Sequence, residues 1–283
     1  MDQIIAEHWA QNGLLHFHHT KLTNATPKTM PFVSHVHAHY EIMQLLHGHI
    51  GYIIDGRHYE MRDGDVILID RNKFHMIRLW DMQYERRVIE FGADILDLLP
   101  SCKSRLLSSF KQSDSPDETC VISETGETSE INAFFDVLEK AVSGTQNDNL
   151  DITLHLNVLL LLLKLNDFRK NESRTLRPVE YNSIVDAAVE YIQNNLDKKL
   201  TLDDLARELY ISKHYLSHIF KHNMGTSVMT FVNIKKMQYA EELIAGGLNP
   251  TTVSLMLGYK SYSNFFNHFQ KILGVCPKSI RKH

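Results

Sequence analysis

The feature that most constrains this chain is a duplication in its last hundred residues. Leu205-Ala206, Leu209, Ser212, Leu216, Phe220 and Gly225 recur as Val253-Ser254, Leu257, Ser261, Phe265, Phe269 and Gly274. The offset is 48 residues before the turn and 49 after it, so the second copy carries one extra residue in its turn. Each copy reads as a short helix, a tight turn and a second helix opened by Ser. A Ser hydroxyl accepts from an orphan backbone N–H, so Ser212 and Ser261 are good helix N-caps. Gly258 falls where a helix ends in a left-handed conformation. Ala206 and Ser254 are small enough to let two helices cross closely. This is the pattern of helix-turn-helix units, in duplicate.

The stretch LTLDDLARELYISKHYLSHIFKHNMGTS, followed by LMLGYKSYSNFFNHFQKILGVCPKSIRK, resembles the DNA-binding domain of the AraC/XylS transcription regulators. The likeness extends to Gly274-Val-Cys-Pro277 and Arg281, where the family usually has G-x-x-P and a Tyr-Arg ending. It implies that Thr230–Ala245 is a connecting helix and that each second helix enters a major groove. Successive grooves lie ~34 Å apart on one face of the duplex. In the first reader helix, Lys213–Asn223, the resemblance points His214, Ser217 and His218 at base edges. Lys213 and Lys221 then serve phosphate, while Leu216, Ile219 and Phe220 face the core. In the second, Tyr262–Leu273, it points Tyr262, Ser263, Phe266 and Asn267 at the groove, with Phe265 and Phe269 in the core. The family commonly has Arg where His218 and Asn267 stand. Asn suits adenine, so an adenine contact is expected from Asn267. Pro250 and Ser254 replace a usual aliphatic residue and a usual Ala. Without the repeat, these outward polar residues would read as solvated surface.

The front of the chain follows a different rule. Tyr52 and Ile54, then Ile67 and Ile69, alternate with period two, and His47-Gly48, Asp55-Gly56 and Asp63-Gly64 punctuate the runs. Asp-Gly between alternating runs marks hairpins, and short strands at this spacing make an antiparallel barrel or sandwich. From Asp94, Leu96, Leu99, Leu106, Leu107 and Phe110 fit helical spacing, and residues 111–120 read as a loop. Glu130–Val142 reads as an amphipathic helix. Asn149–Phe168 is apolar nearly all round, so it needs a partner on more than one side; a second subunit is the expected one, burial within the chain the alternative. The expected fold is thus α+β in two domains. Residues 1–100 form a barrel and 101–170 a helical dimerisation region. Polar residues 171–179 form a linker, and 180–283 an all-α domain with two helix-turn-helix units.

The formal charge of −4 is unevenly spread. From Pro178 onward there are 12 basic and 9 acidic residues, against 18 and 25 before it. An acidic front and a mildly basic back fit different partners. The longest aliphatic run, Val158–Leu163, is too short to span a bilayer, and the N-terminus lacks a basic region before an apolar core. Cys102, Cys120 and Cys276 are too few and too scattered for a disulfide framework. A cytoplasmic location and no membrane partner are expected.

His35-Val-His37-Ala-His39-Tyr40-Glu41 is followed by Gly48, a spacing of H-x-H-x3-E-x6-G, and Gly64 is followed eleven residues later by His75. This resembles the paired motifs of the cupin barrel, whose metal ligands match His35, His37, Glu41 and His75. Residues 35, 37 and 41 share parity, so on a strand they face one side, and imidazole with carboxylate suits a divalent transition metal. The second motif departs from the family: Asp70 and Asn72 stand for Pro and Gly, and Leu79 for Asn, which bears on the loop around His75. Three readings stay open: a metal-free effector pocket formed by these four residues, with a sugar as one candidate effector; a bound divalent metal; or an inert lining in a His-rich chain. The expectation is a homodimeric regulator that binds double-stranded DNA and a small-molecule effector, with no cofactor and no catalytic residue. The rival is a metal-binding cupin, enzymatic or metal-sensing, fused to a DNA-binding domain.

Overall fold

The computed structural model describes residues 2–10, 13–23, 35–81, 83–110, 121–123, 130–144, 148–169, 175–176 and 182–280. The expected loop at 111–120, Cys120 and Arg281 lie outside the described residues.

The front domain is two antiparallel sheets. Its strands are β1 (Asp2–Ala10), β2 (Leu15–Thr23), β3 (Tyr40–His47), β4 (Ile50–Ile54), β5 (Arg57–Met61), β6 (Val66–Ile69), β7 (His75–Leu79), β8 (Gln83–Phe91), β9 (Val121–Ile122) and β10 (Thr175–Leu176). The large sheet runs β1-β2-β8-β3-β6-β9-β10 and the small one β5-β4-β7. The barrel is cupin-like but not closed. Alternation sets what each face buries. Met43, Leu45, Ile67, Ile69, Tyr84 and Val88 of the large sheet meet Ile50, Tyr52, Ile54, Tyr59 and Met61 of the small one. The opposite face, with Leu15, Phe17, Ile42, Leu68, Ile89 and Phe91, packs on helices. Asp55-Gly56 turns β4 into β5 with both residues at positive φ, 48° and 91°, the conformation a two-residue hairpin of this twist requires.

The stretch after Asp94 is broken into single turns, among them α1 (Lys103–Leu106). Then come α2 (Glu130–Ser143) and α3 (Leu150–Arg169). Helix α3 buries Leu154, Val158, Leu161, Leu162 and Leu165 against the sheet and α2. Its other side, Ile152, Leu156, Leu160 and Leu163, is 45–59% exposed. Of the span expected to be linker, Thr175–Leu176 pairs with β9 at the sheet edge; the rest of 171–179 lies outside the described residues.

The back domain is helical: α4 (Ser183–Gln193), α5 (Leu202–Glu208), α6 (Lys213–Met224), α7 (Val228–Ala245), α8 (Pro250–Met256) and α9 (Tyr262–Leu273). Ser212 accepts from the Tyr215 N–H at 3.2 Å, and Ser261 from the Asn264 N–H at 3.3 Å. In the turns, Tyr210 (φ 56°) occupies the left-handed place that Gly258 (φ 79°) holds in the second copy. The units α5–α6 and α8–α9 are joined by α7, whose Lys236 ammonium donates to the Lys198 carbonyl at 2.5 Å and the Leu257 carbonyl at 3.3 Å. One cation thus ties the loop before α5 and the end of α8 to the connecting helix.

Candidate functional site

Three of the four cupin-matching residues come from outside regular strand, or from its ends. Glu41 is the second residue of β3 and His75 the first of β7, while His35 and His37 precede β3. Strand parity therefore does not bring them together. A backbone bridge does: His35 and His75 exchange N–H···O bonds of 3.1 Å. The Asn72 N–H also donates to the His37 carbonyl at 2.8 Å. Asn72 adopts φ 60°, a left-handed conformation that Asn tolerates better than most residues.

The four side chains converge, one donor atom from each lying within 4.8 Å of the others. His37 Nε2 is 3.1 Å and His75 Nε2 3.4 Å from Glu41 Oε2. Glu41 also accepts from the Tyr52 hydroxyl at 3.2 Å. Burial alone would raise the Glu41 carboxyl, but the hydrogen bonds from His37 and His75, and their charge, hold it well below the ordinary range. For His37, burial works against the imidazolium, and the Glu41 bond overcomes it to raise the pKa. The outer nitrogens are tied to acceptors: His37 Nδ1 to the His39 carbonyl at 3.1 Å, His75 Nδ1 to the Lys73 carbonyl at 2.8 Å. A carbonyl only accepts, so Nδ1 of each ring carries a proton, and Nε2 turns inward, where it donates to Glu41 in the imidazolium and offers a lone pair when the ring is neutral. That orientation by an outer acceptor is what metal-binding histidines use, so the donor set fits a divalent transition metal.

His75 opens β7 just after a loop that reaches the back domain. Asp55, at the β4–β5 turn, accepts from the Phe74 N–H at 3.1 Å and pairs with Lys73 at 3.1 Å. The same carboxylate takes the Lys235 ammonium of α7 at 2.5 Å, with both side chains buried. Burial would raise the Asp55 carboxyl, but the two lysines hold it at about 2; burial lowers Lys235 to about 8, with Asp55 offsetting only part. Asn72 donates to Glu241 at 3.2 Å, and Arg78 donates to the carbonyls of His222 and Asn223 at 3.0 and 3.2 Å. Phe74 packs on Phe231 with ring centroids 5.1 Å apart, inside one apolar cluster that joins Ile53 and Met76 to Val189, Leu216 and Phe220. The sequence reading missed this seam: an Asp-Gly turn and a Lys in a helix carry no sign of their partners. It also missed His16, His18 and Glu90, a second convergent group beside the first.

On the reader helices, Lys213, His214, His218 and Lys221 are exposed and Ser217 is half-buried. Lys213 pairs with Asp203 of α5 at 3.0 Å. On α9, Ser263 and Asn267 are exposed and Phe266 is half-buried. Tyr262 turns inward: its hydroxyl is buried and its ring lies against Phe265. Leu216, Phe220, Phe265 and Phe269 are core, as expected.

Two family profiles match the chain: an AraC-like ligand binding domain over residues 25–144 and a helix-turn-helix domain over residues 205–283. The chain belongs to the AraC family. It is 32% identical to the uncharacterized HTH-type transcriptional regulator YtdP of Bacillus subtilis over 36% of its own length and 14% of that protein's. It is 30% identical to the xylose operon regulatory protein of Escherichia coli over 37% of its length and 28% of the relative's. It therefore spans a minor part of either relative. Among solved structures, ToxT from Vibrio cholerae aligns over 93% of this chain and 96% of its own, with 16% identity and a TM-score of 0.38. Among the described residues, no helix of this AraC-family chain is long and apolar enough to cross a membrane.

Proposed function

We propose that this AraC-family chain regulates transcription in the cytoplasm. Its two helix-turn-helix units bind double-stranded DNA, and a small-molecule effector bound at His35, His37, Glu41 and His75 controls them. The observation that carries this reading is the β6–β7 segment, which holds His75 at the candidate ligand site and, through its neighbours, the first unit against the front domain. An effector there touches the element on which the reader helices rest. The effector is a small polar solute rich in oxygen; the xylose operon relative is in keeping with a sugar. The test is fluorescence anisotropy on duplexes enriched from a random pool, with and without sugars. Replacing His218 or Asn267 by Ala relaxes preference at one base position. Replacing Lys221 weakens all sequences alike and flattens the salt slope by about one phosphate contact. Equal affinity for enriched and random duplexes would refute the reading.

A metal at the four residues is favoured by a specific observation, the carbonyl-held Nδ1 atoms of His37 and His75. A divalent transition ion there would supply a positive anchor for an effector's oxygen atoms. The regulator reading and the metal are compatible. The chain acts as a homodimer: the exposed Ile152, Leu156, Leu160 and Leu163 form one apolar face on α3 that a second copy covers by symmetry. In sedimentation, Leu156→Glu with Leu160→Glu halves the mass; a wild-type monomer would refute the dimer.

A further inference from the structure

The candidate metal site does not stand alone. His16 of β2, Glu90 of β8 and Glu41 of β3 are direct cross-strand neighbours, in register as His16↔Glu90 and Glu41↔Glu90. His18 lies two residues along β2, on the same face. His16, His18 and Glu90 each place a donor atom within 4.8 Å of the others. The Glu90 carboxylate faces both groups. One oxygen is 3.1 Å from His16 Nδ1, and the other is 4.0 Å from His37 Nε2. His16 is held as an oriented ligand: its Nε2 is 3.1 Å from Glu7 Oε1, and Trp9 stacks on the ring at 3.7 Å, 5° from parallel. An outer carboxylate on the far nitrogen of an imidazole fixes its tautomer and raises its basicity toward a metal. Glu7, Glu41 and Glu90 surround these imidazoles with three carboxylates, while the Arg86 guanidinium acts on Glu41 and on His18.

We infer that His16, His18 and Glu90 bind a second divalent transition-metal ion, with Glu90 bridging it to the ion at His35, His37, Glu41 and His75. This rests on the metal reading of the neighbouring site. Paired ions sharing a carboxylate sit ~3.5–4 Å apart and clamp an oxygen ligand between them, so the effector would be an oxygen donor that touches both. His16 and His18 supply the second ion's imidazoles, Glu90 one oxygen to each ion, and Glu7 positions His16.

The test is titration of the metal-stripped full chain with Co(II), reading stoichiometry and d–d absorption, on variants whose circular dichroism matches wild type. Two equivalents are expected. His18→Ala and, separately, His18→Gln each reduce these to one, and His75→Ala removes the other. Glu7→Gln keeps both equivalents but weakens the second by about 10- to 100-fold. Glu90→Gln weakens the second equivalent, because a neutral amide offers one oxygen where the carboxylate offers two. One equivalent that survives both His18 variants and is lost in His75→Ala overturns the second site and leaves the first. One equivalent lost in the His18 variants and kept in His75→Ala overturns the first reading and the bridge together. No binding overturns both.

Discussion

The seam between the domains makes a quantitative prediction. Asp55 and Lys235 are 180 residues apart in sequence, yet their charged atoms lie 2.5 Å apart and buried. Removing one partner of a buried pair leaves the other charge unpaired, at roughly 3–5 kcal/mol. Lys73 remains 3.1 Å from Asp55, so Lys235→Met should fall at the low end, about 3 kcal/mol. Asp55→Asn strands the buried Lys235 and should cost a similar amount; Asn keeps the oxygen that accepts from Phe74 and tolerates the positive φ. The double variant leaves Lys73 without its carboxylate, but that side chain is 27% exposed and keeps access to water, so stability should recover to within about 1–2 kcal/mol of wild type. The coupling between the sites is therefore about 3 kcal/mol or more, far above the ~0.5 kcal/mol within which distant sites add. Urea unfolding of the four proteins, read by circular dichroism and by the fluorescence of Trp9 and Trp80, measures it. Single effects that simply add would show that the pair does not form and that the domains do not dock here.

Three further outcomes follow from the same contacts. Asp55 is held at about 2 against an ordinary 3.8; its contribution of about 2 kcal/mol is present above 3.8 and lost as the pH falls toward 2, so acid unfolding of Asp55→Asn should be flatter in that window. A Cβ on Gly258 meets nothing within 4 Å, whereas on Gly56 it meets Val189 Cγ2 at 2.9 Å; thermal melts should show Gly258→Ala costing about 1 kcal/mol of backbone strain, and Gly56→Ala more, with loosened docking seen by hydrogen exchange in α4. Ser212→Ala and Ser261→Ala each remove a cap and should cost about 1 kcal/mol in denaturant titrations, with the two effects additive because the caps lie in separate units.

The repeat was legible because a helix-turn-helix unit is built from local rules. Caps at Ser212 and Ser261, a turn at Gly258 and core positions at Leu216, Phe220, Phe265 and Phe269 follow from spacing alone, and the structure places them so. Tyr262 sits at the boundary that helical phase cannot divide: it is half-buried, with its ring between Phe265 of the core and Phe266 of the outer face. The four candidate ligands were legible from motif spacing, but the reason they meet was not. Parity assumed a strand through residues 35–41; the backbone bridge from His35 to His75 depends on a partner forty residues away. The Asp55–Lys235 pair and the His16–Glu90 row are longer-range still. No local pattern encodes cross-strand register between β2 and β8, and a histidine on an alternating strand looks the same whether it faces a carboxylate or water.

These long-range contacts lie on one physical path. His75 Nδ1 holds the Lys73 carbonyl, Lys73 pairs with Asp55, and Asp55 takes Lys235 from the helix that joins both reader units. Adjacency alone does not make coupling; an element with two arrangements is needed, and a ligand that prefers one of them. The docking seam becomes such an element if it opens. Docked, it buries Phe74, Met76 and Ile53 against Val189 and Phe231; undocked, it exposes them and frees Lys235. A ligand that needs His75 in its present rotamer, with the loop closed beneath it, favours the docked arrangement. If DNA needs the first unit released, then by linkage DNA weakens that ligand by the same factor as the ligand weakens DNA. If DNA instead accepts the docked unit, both affinities rise together. The sign of that reciprocal effect states whether the effector represses or activates binding, and Lys235→Met should shrink it in either case, since the variant removes the Asp55–α7 ion pair while the Asn72–Glu241 and Phe74–Phe231 contacts and the ligand residues stay in place.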